Sequence, residues 1–406
     1  MRGEPAGAAG EEGAGSGAGG AATSEELERV AWLAVNRCLG VARGEAVLVE
    51  GGVHALELLE DLVVALGRVG AQAALLVSSD RLLQRMLLEV DPALLRRPPK
   101  FYGRWLKSVQ ARIGVDLVRN PQSLEAVPEG RLAAMTSAHA SVVRPVLLAG
   151  RLRWLHLGYP TPELAERYGV DWDRFRSLFW RAVLVDYEGL KAHGERLAPL
   201  LRGGDRVEVV TGPGYRLELR LEAAGAHVDD GVVTPQDVAR GFCGANLPCG
   251  EVFAPVRVDS ARGRVRLDLA QSRGRLIRGI TLTFSGGRLV EASAEEGEDL
   301  LRERIDALGR GGRCLSELGV GINPNVREPL GYMILDEKLY GSAHLALGDN
   351  QALGGTHAAP SHWDMLALRP TVASERGVLL ERGEFPAALA PGGAGRGEAG
   401  AGGGAP

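Results

Sequence analysis

The chain has 406 residues, a formal net charge of −4, 45% hydrophobic residues and 24% charged ones. That composition suits a globular chain with two or three domains and ample core, and its slight acidity gives no basis for binding nucleic acid or an anionic membrane. No run approaches the ~18 to 20 apolar residues of a spanning helix, and no basic region followed by an apolar one opens the chain, so neither a transmembrane segment nor a secretory signal is expected.

Residues 1 to 22 and 390 to 406 are dominated by glycine and alanine. Such stretches bury too little apolar surface to offset backbone ordering, and both are expected to be disordered tails. "TSEELERVAWLAVNRCLG" then opens a helix. Thr23 and Glu26 form a capping box, Leu27, Val30, Ala31, Ala34, Val35 and Cys38 keep helical spacing, and Gly40 suits the stop. "AVLVEGG" reads as a buried strand, "VHALELLEDLVVALGRVG" as an amphipathic helix, and "AALLVSSD", "GVDLVRN" and "RWLHLGYP" as further strands. "TPELAERYGVDWDRFRSLFWRAVLVDYEGLKAH" reads as another helix, begun by Thr161 and Pro162. Strands alternating with helices imply parallel βαβ units, so residues 23–200 are expected to form a doubly wound α/β domain.

Near residue 200 the texture changes. "VEVVTGPGYRLELRL", "VRVDSARGRVRLDL" and "GITLTFSGGRLVEASA" are alternating segments joined by Gly or Pro turns, which are hairpin signals. One helix, about Glu295 to Leu308, interrupts them. Residues 201–389 are therefore expected to form an α+β domain rich in antiparallel sheet.

The first half contains neither a P-loop nor a dinucleotide fingerprint, and GxSxG and HExxH are absent. His54, His139, His156 and His193 are scattered and read as surface or satisfied core residues. Cys38, Cys243, Cys249 and Cys314 form no CxxC pair, which points to reduced thiols in a cytoplasmic protein. The second half places ligand-type residues beside glycines and at segment ends: Glu251 in "NLPCGE", Glu317 in "CLSELGVGINPN", His344 in "GSAHLALGDN", and His357, His362 and Asp364 in "GGTHAAPSHWD". On a strand, His362 and Asp364 share a face. Each residue alone has a structural reading: a turn carboxylate for Glu251, a salt-bridged side chain for Glu317, a core histidine for His344, a hydrogen-bonded pair for His362 and Asp364. Together, three carboxylates and two imidazoles would suit two divalent cations, with mixed N/O ligation fitting zinc, cobalt or manganese.

Over Asn246 to Val372, the segments "NLPCGEVFAPV", "ELGVGINPNV", "ILDEKLYGSAHLALGDN" and "SHWDMLALRPTV" resemble the M29 metallo-aminopeptidases, the aminopeptidase T/S group. The resemblance implies a cytoplasmic, homodimeric enzyme that removes the N-terminal residue of a peptide through a metal-activated water. It implies a dinuclear site held by Glu251, Glu317, His344, His362 and Asp364, and Glu317 is the expected proton-transferring carboxylate. One departure stands out. Members of the family carry a tyrosine a few residues beyond the HLALG-type histidine, whereas this chain has Asn350 and Gln351 there; with His357 these are candidates for substrate contact or for supporting the ligands. A related group of iron dioxygenases that open dihydroxypyridine rings resembles the same domain. Those enzymes bind one iron through two histidines and one carboxylate, which here would be His344, His362 and Asp364, and a histidine stands at the place of Glu317, so Glu317 favours the peptidase side. The missing tyrosine also leaves open a member that has lost catalysis.

Overall fold

Short apolar strands separated by amphipathic helices build the first sheet, as the alternation requires. In the computed structural model, which describes residues 23–391, four strands come first: β1 (Ala46–Gly52), β2 (Gln72–Ser78), β3 (Ala111–Val115) and β4 (Arg153–Leu157). They run parallel in the order β2-β1-β3-β4. β1 is buried almost throughout, whereas β2 is an exposed edge. The stretches expected to be tails lie outside the described residues, except Ala390 and Pro391. Among the described residues, no helix is long and apolar enough to cross a membrane.

The opening helix, Ser24–Trp32, carries the expected capping box between Thr23 and Glu26. Beyond Trp32 its turns widen into a π-helix over Leu33–Cys38, and the Leu39 N–H reaches back five residues to the Ala34 carbonyl. The segment 161–193, expected as one helix, forms three: Pro162–Tyr168, Trp172–Val183 and Tyr187–Leu197. Apolar spacing persists across the breaks, but Gly169 closes the first helix in the left-handed conformation, and Asp171 and Asp186 cap the next two. The expected strand "GVDLVRN" is also displaced, because β3 begins earlier and stops at Val115. The residues after it are held as a loop by Asp80, whose carboxylate accepts the N–H groups of Arg119 and Asn120.

The second half begins with the expected hairpin of β5 (Arg206–Gly212) and β6 (Tyr215–Arg220), followed by the short β7 (His227–Asp229). The chain then returns to the first sheet, where β8 (Gly244–Leu247) adds parallel to β4 as its fifth strand. After three intervening residues β9 (Glu251–Pro255) enters the antiparallel sheet, so "NLPCGE" is the crossing between the two sheets. β10 (Arg262–Ser272), β11 (Arg275–Ser285), β12 (Arg288–Ser293), β13 (Leu315–Gly321), β14 (Ala343–Gly348), β15 (His362–Ala367), β16 (Thr371–Ser374) and β17 (Gly377–Leu380) complete it. Its order is β17-β16-β5-β6-β10-β15-β14-β13-β9-β7, with β11 and β12 added beside β10.

"VRVDSARGRVRLDL" does not form the expected hairpin. Both edges of β9 are occupied, by β7 and β13, so β10 turns away and pairs with β11, β6 and β15. "GITLTFSGGRLVEASA" does form one, as β11 and β12. The intervening helix runs Glu298–Gly312 rather than from Glu295. One continuous apolar core spans both sheets, and the Tyr332 hydroxyl ties them together by donating to Asp116 and accepting the Tyr159 N–H.

Candidate metal centre

Four adjacent strands, in the order β9-β13-β14-β15, carry the candidate ligands. Cross-strand register decides which side chains meet, because alternate residues project from one face. Gly321 stands opposite Glu251, Gly319 opposite His344, Glu317 opposite Ala346, Ala346 opposite Asp364, and Gly348 opposite His362. Glu251, Glu317, His344, His362 and Asp364 therefore share a face with four small residues, and the small residues leave the space into which the large ones converge. At Gly319 the space is taken by one of the five: a Cβ there would lie 2.1 Å from His344 Cε1 and 2.2 Å from Nε2.

The five residues come together as follows. Glu317 lies on both histidines, with Oε1 3.5 Å from His344 Nε2 and Oε2 2.8 Å from His362 Nε2. His344 Nε2 is 3.3 Å from Glu251 Oε2, and His362 Nε2 is 3.2 Å from Asp364 Oδ1. The other ring nitrogen of His362, Nδ1, donates its proton to the Asp349 carbonyl oxygen at 2.7 Å, which turns Nε2 toward the carboxylates.

Burial opposes charge on Glu317, His344 and His362, yet their neighbours hold these three ionised. His344 and His362 keep Glu317 well below the usual carboxylate range. Burial lowers the affinity of His344 for a proton, but Glu317 and Glu251 more than reverse this and push it up to about 9. Asp364 and Glu317 likewise raise His362 well above the ordinary imidazole value.

Sequence reasoning missed the charges behind this cluster. Lys338 is fully buried, and its ammonium donates to Glu251 Oε1 at 2.6 Å and Glu337 Oε2 at 3.3 Å, with Asp229 at 3.8 Å. Glu337 and Lys338 lie in the quoted run "ILDEKLYG" but follow no periodic or ligand-type pattern, and Asp229 is brought in only by the pairing of β7 with β9. Burial and the neighbouring Asp364 push Glu337 up to about 8, and burial pushes Asp229 up to about 7. Three carboxylates thus share one ammonium, while Glu317 and Asp364 pair with the two histidines, a concentration of acidic groups that suits a divalent cation.

The donor set fits such an ion. Glu317, His344 and Asp364 each offer a ligand atom within 4.8 Å of the others. Glu251 Oε2 is buried and makes no hydrogen bond, only the 3.3 Å approach to His344, while its sister oxygen is held by Lys338, so it is an acceptor aimed at the cluster. A family model described as thermophilic metalloprotease (M29) matches residues 23–359. The chain belongs to the M29 metalloproteases.

Curated relatives agree. Aminopeptidase T of Thermus aquaticus is 28% identical over 82% of this chain and 86% of its own length. Aminopeptidase 2 of Geobacillus stearothermophilus is 25% identical over 80% and 83%. Among solved structures, wild-type AmpT from Thermus thermophilus has a TM-score of 0.69 at 22% identity, over 90% of this chain and all of that one. A 2,5-dihydroxypyridine dioxygenase from Pseudomonas putida KT2440 shares the fold less closely, with a TM-score of 0.58 at 16% identity over 90% of this chain and 96% of that one.

Within this M29 chain, the three residues proposed to contact substrate or support the ligands separate clearly. Gln351 lines the cavity that contains the five candidate ligands. Asn350 does not: its amide nitrogen donates to the carbonyls of Val256 and Ser316, and its oxygen accepts the His357 N–H. His357 is anchored to the Gly311 carbonyl through Nε2 at 2.7 Å. Both therefore build the loop after β14. Tyr332 and Tyr340 are also engaged elsewhere, Tyr332 with Asp116 and Tyr340 against His193 and Phe385.

Proposed function

We propose that this chain, a metal-dependent aminopeptidase of the M29 family, works with two divalent ions of the zinc, cobalt or manganese class held by Glu251, Glu317, His344, His362 and Asp364. The observation that carries this reading is Glu317, which lies between His344 and His362 on one strand face with Glu251 and Asp364 on either side. Such ions supply Lewis acidity toward the scissile carbonyl and a water acidic enough to be a nucleophile near neutral pH.

The protein's own groups do the rest. Asp349 fixes the tautomer of His362, and Lys338 fixes which oxygen of Glu251 faces the site. Glu317 is the proton carrier from water to the leaving amine, since it is the carboxylate common to both histidines. Gln351, on the cavity wall, contacts the peptide.

This reading includes a cytoplasmic location, which the buried, unpaired cysteines Cys38, Cys243, Cys249 and Cys314 support. It also includes a homodimer, supported by the exposed apolar edge strand β2 with Leu75, Leu76 and Val77 on its surface. Metal analysis of the purified chain together with hydrolysis of aminoacyl anilides tests the proposal. Two zinc, cobalt or manganese ions per chain are expected, with loss of hydrolysis in Glu317→Gln. One iron with oxygen uptake on a dihydroxypyridine would overturn it, and full activity of Glu317→Gln would remove Glu317 from its role.

A further inference from the structure

The metal residues sit where two cavities meet, and both cavities are lined by Glu337, His362 and Asp364. The first, about 400 Å³, is the more enclosed of the two, and it runs from the metal residues toward the crossing between the sheets. Its wall beside the metal residues is aromatic for reasons visible in the register. Phe253 lies two residues after Glu251 on β9 and so projects from the same face. His227 stands opposite Phe253 on the short strand β7, and the two rings meet edge-on at 5.4 Å. Phe242 stacks on His227 with ring centres 4.0 Å apart and planes 10° apart. Trp154 adds a fourth ring. Its cross-strand partner Gly244 has no side chain, and a Cβ there would fall 1.8 Å from the indole, so the ring can lie across the strand.

The charge of this wall is as telling as its shape. Burial lowers His227 to about 4, so at neutral pH it presents an uncharged ring. Beyond the metal residues, the acidic groups of the lining are Asp229 and Glu337, and both face the Lys338 ammonium. Arg240 lies over the Phe242 ring at 5.6 Å. A cationic side chain entering here would meet an aromatic face already carrying an arginine and carboxylates that already share the Lys338 ammonium.

We propose that the Phe253–His227–Phe242 wall is the pocket for the side chain of the residue removed, and that it selects a bulky apolar, above all aromatic, N-terminal residue over a basic one. The proposal rests on the aminopeptidase reading and gives it a direction. Removing a single residue requires an enclosed space on the amino side of the scissile bond and an open path on the other. The second cavity, about 450 Å³ and bordered by Leu132, Met333 and Arg304, supplies that path.

The test compares kcat/KM of the metal-loaded full chain on phenylalanyl, leucyl, alanyl and lysyl anilides, with Phe242→Ala and Phe242→Leu as variants. The wild type should prefer phenylalanyl and leucyl over lysyl by about tenfold or more, the size of effect one or two apolar contacts produce. Phe242→Ala should cut the phenylalanyl-to-alanyl ratio about tenfold, and Phe242→Leu should recover part of it. A variant that merely folds poorly lowers both substrates together, so the ratio reads the pocket. Fluorescence of Trp154 and the other tryptophans gives an independent readout, since L-phenylalanine amide should bind the wild type more tightly than L-lysine amide does. Hydrolysis of the whole panel with no such preference, or an unchanged ratio in Phe242→Ala, overturns the pocket and leaves the aminopeptidase reading intact. Hydrolysis of none of the anilides overturns both.

Discussion

The imidazole of His344 occupies the space that a side chain on Gly319 would fill. The two residues are cross-strand partners on β14 and β13, and a Cβ on Gly319 would lie 2.1 Å from the ring. Glu317, on the same strand as Gly319, then meets that ring through Oε1. A glycine is required here by the approach of a proposed metal ligand rather than by a turn.

Gly319→Ala therefore displaces a proposed ligand without altering one chemically. The ring cannot yield as the end of a flexible chain would, because His344 is fully buried between Glu251 and Glu317. Misplacing a ligand or its support typically weakens metal binding about 10- to 100-fold. Competition with a chelator of known affinity measures this directly. Affinity within twofold of wild type would show that the ring has room to move.

The proton on His344 gives a second prediction. In the metal-free protein this imidazole is held protonated up to about pH 9, against an ordinary value of 6.5. A metal must displace that proton, so affinity should rise with pH toward 9, by up to about tenfold per unit for this one group. Stability of the metal-free protein should move the opposite way. A group whose folded value is raised stabilises fully below its unfolded value and loses that contribution as pH rises through the folded one. Asp229 near 7 and Glu337 near 8 act in the same direction as His344. The melting temperature in chelator should therefore fall between pH 6.5 and 9, and the gain from added metal should widen across the same window. A metal-free melting temperature that rises over this range would contradict the assigned proton positions.

Lys338 supplies a third test. Its ammonium is wholly buried among Glu251, Glu337 and Asp229. Removing one partner of a buried charged cluster costs about 3–5 kcal/mol, because the remaining charges stay desolvated and unpaired. Lys338→Met should lose stability of that order in the metal-free state by urea denaturation. Saturating metal should restore part of it, since cations relieve the same carboxylates. A loss that metal leaves unchanged would mean that Lys338 serves packing alone.

How much of this was legible beforehand follows from which residues obey local rules. Thr23 and Glu26 announced their helix because a capping box is a four-residue signal, and Asp171 and Asp186 hid theirs because apolar spacing ran on across both breaks. The ligand-type residues stood out because Glu251, Glu317, His344, His362 and Asp364 sit in apolar, glycine-rich runs where a charge needs a reason. Their supports were silent. Lys338 and Glu337 look like surface residues in sequence, and His227 and Phe242 reach the cavity only because β7 joins the far edge of the sheet and the chain then crosses back to β8. Long-range register, which no local pattern encodes, decided both.

Asn350 illustrates the same point and yields the last prediction. It stands in the stretch where the family's tyrosine is expected, which makes it a tempting ligand or substrate contact. In the structure both ends of its amide are spent on the main chain, at 3.1 Å and 3.3 Å to the carbonyls of Val256 and Ser316 and at 2.8 Å from the His357 nitrogen. Those bonds fasten the loop after β14 to strands β9 and β13, and the same loop carries the Asp349 carbonyl that orients His362. Asn350→Ala leaves the Val256 carbonyl and the His357 N–H without this partner, while the Ser316 carbonyl keeps the Val256 N–H, at about 1–3 kcal/mol for each group that water cannot reach. The variant should thus be destabilised by about 2–4 kcal/mol in urea, and the folded fraction should still bind its full complement of metal. Gln351→Ala should do the reverse, leaving stability within about 0.5 kcal/mol, as substitutions outside the core and its bonded networks usually do, while raising KM. Loss of metal from correctly folded Asn350→Ala protein would instead place Asn350 among the ligands.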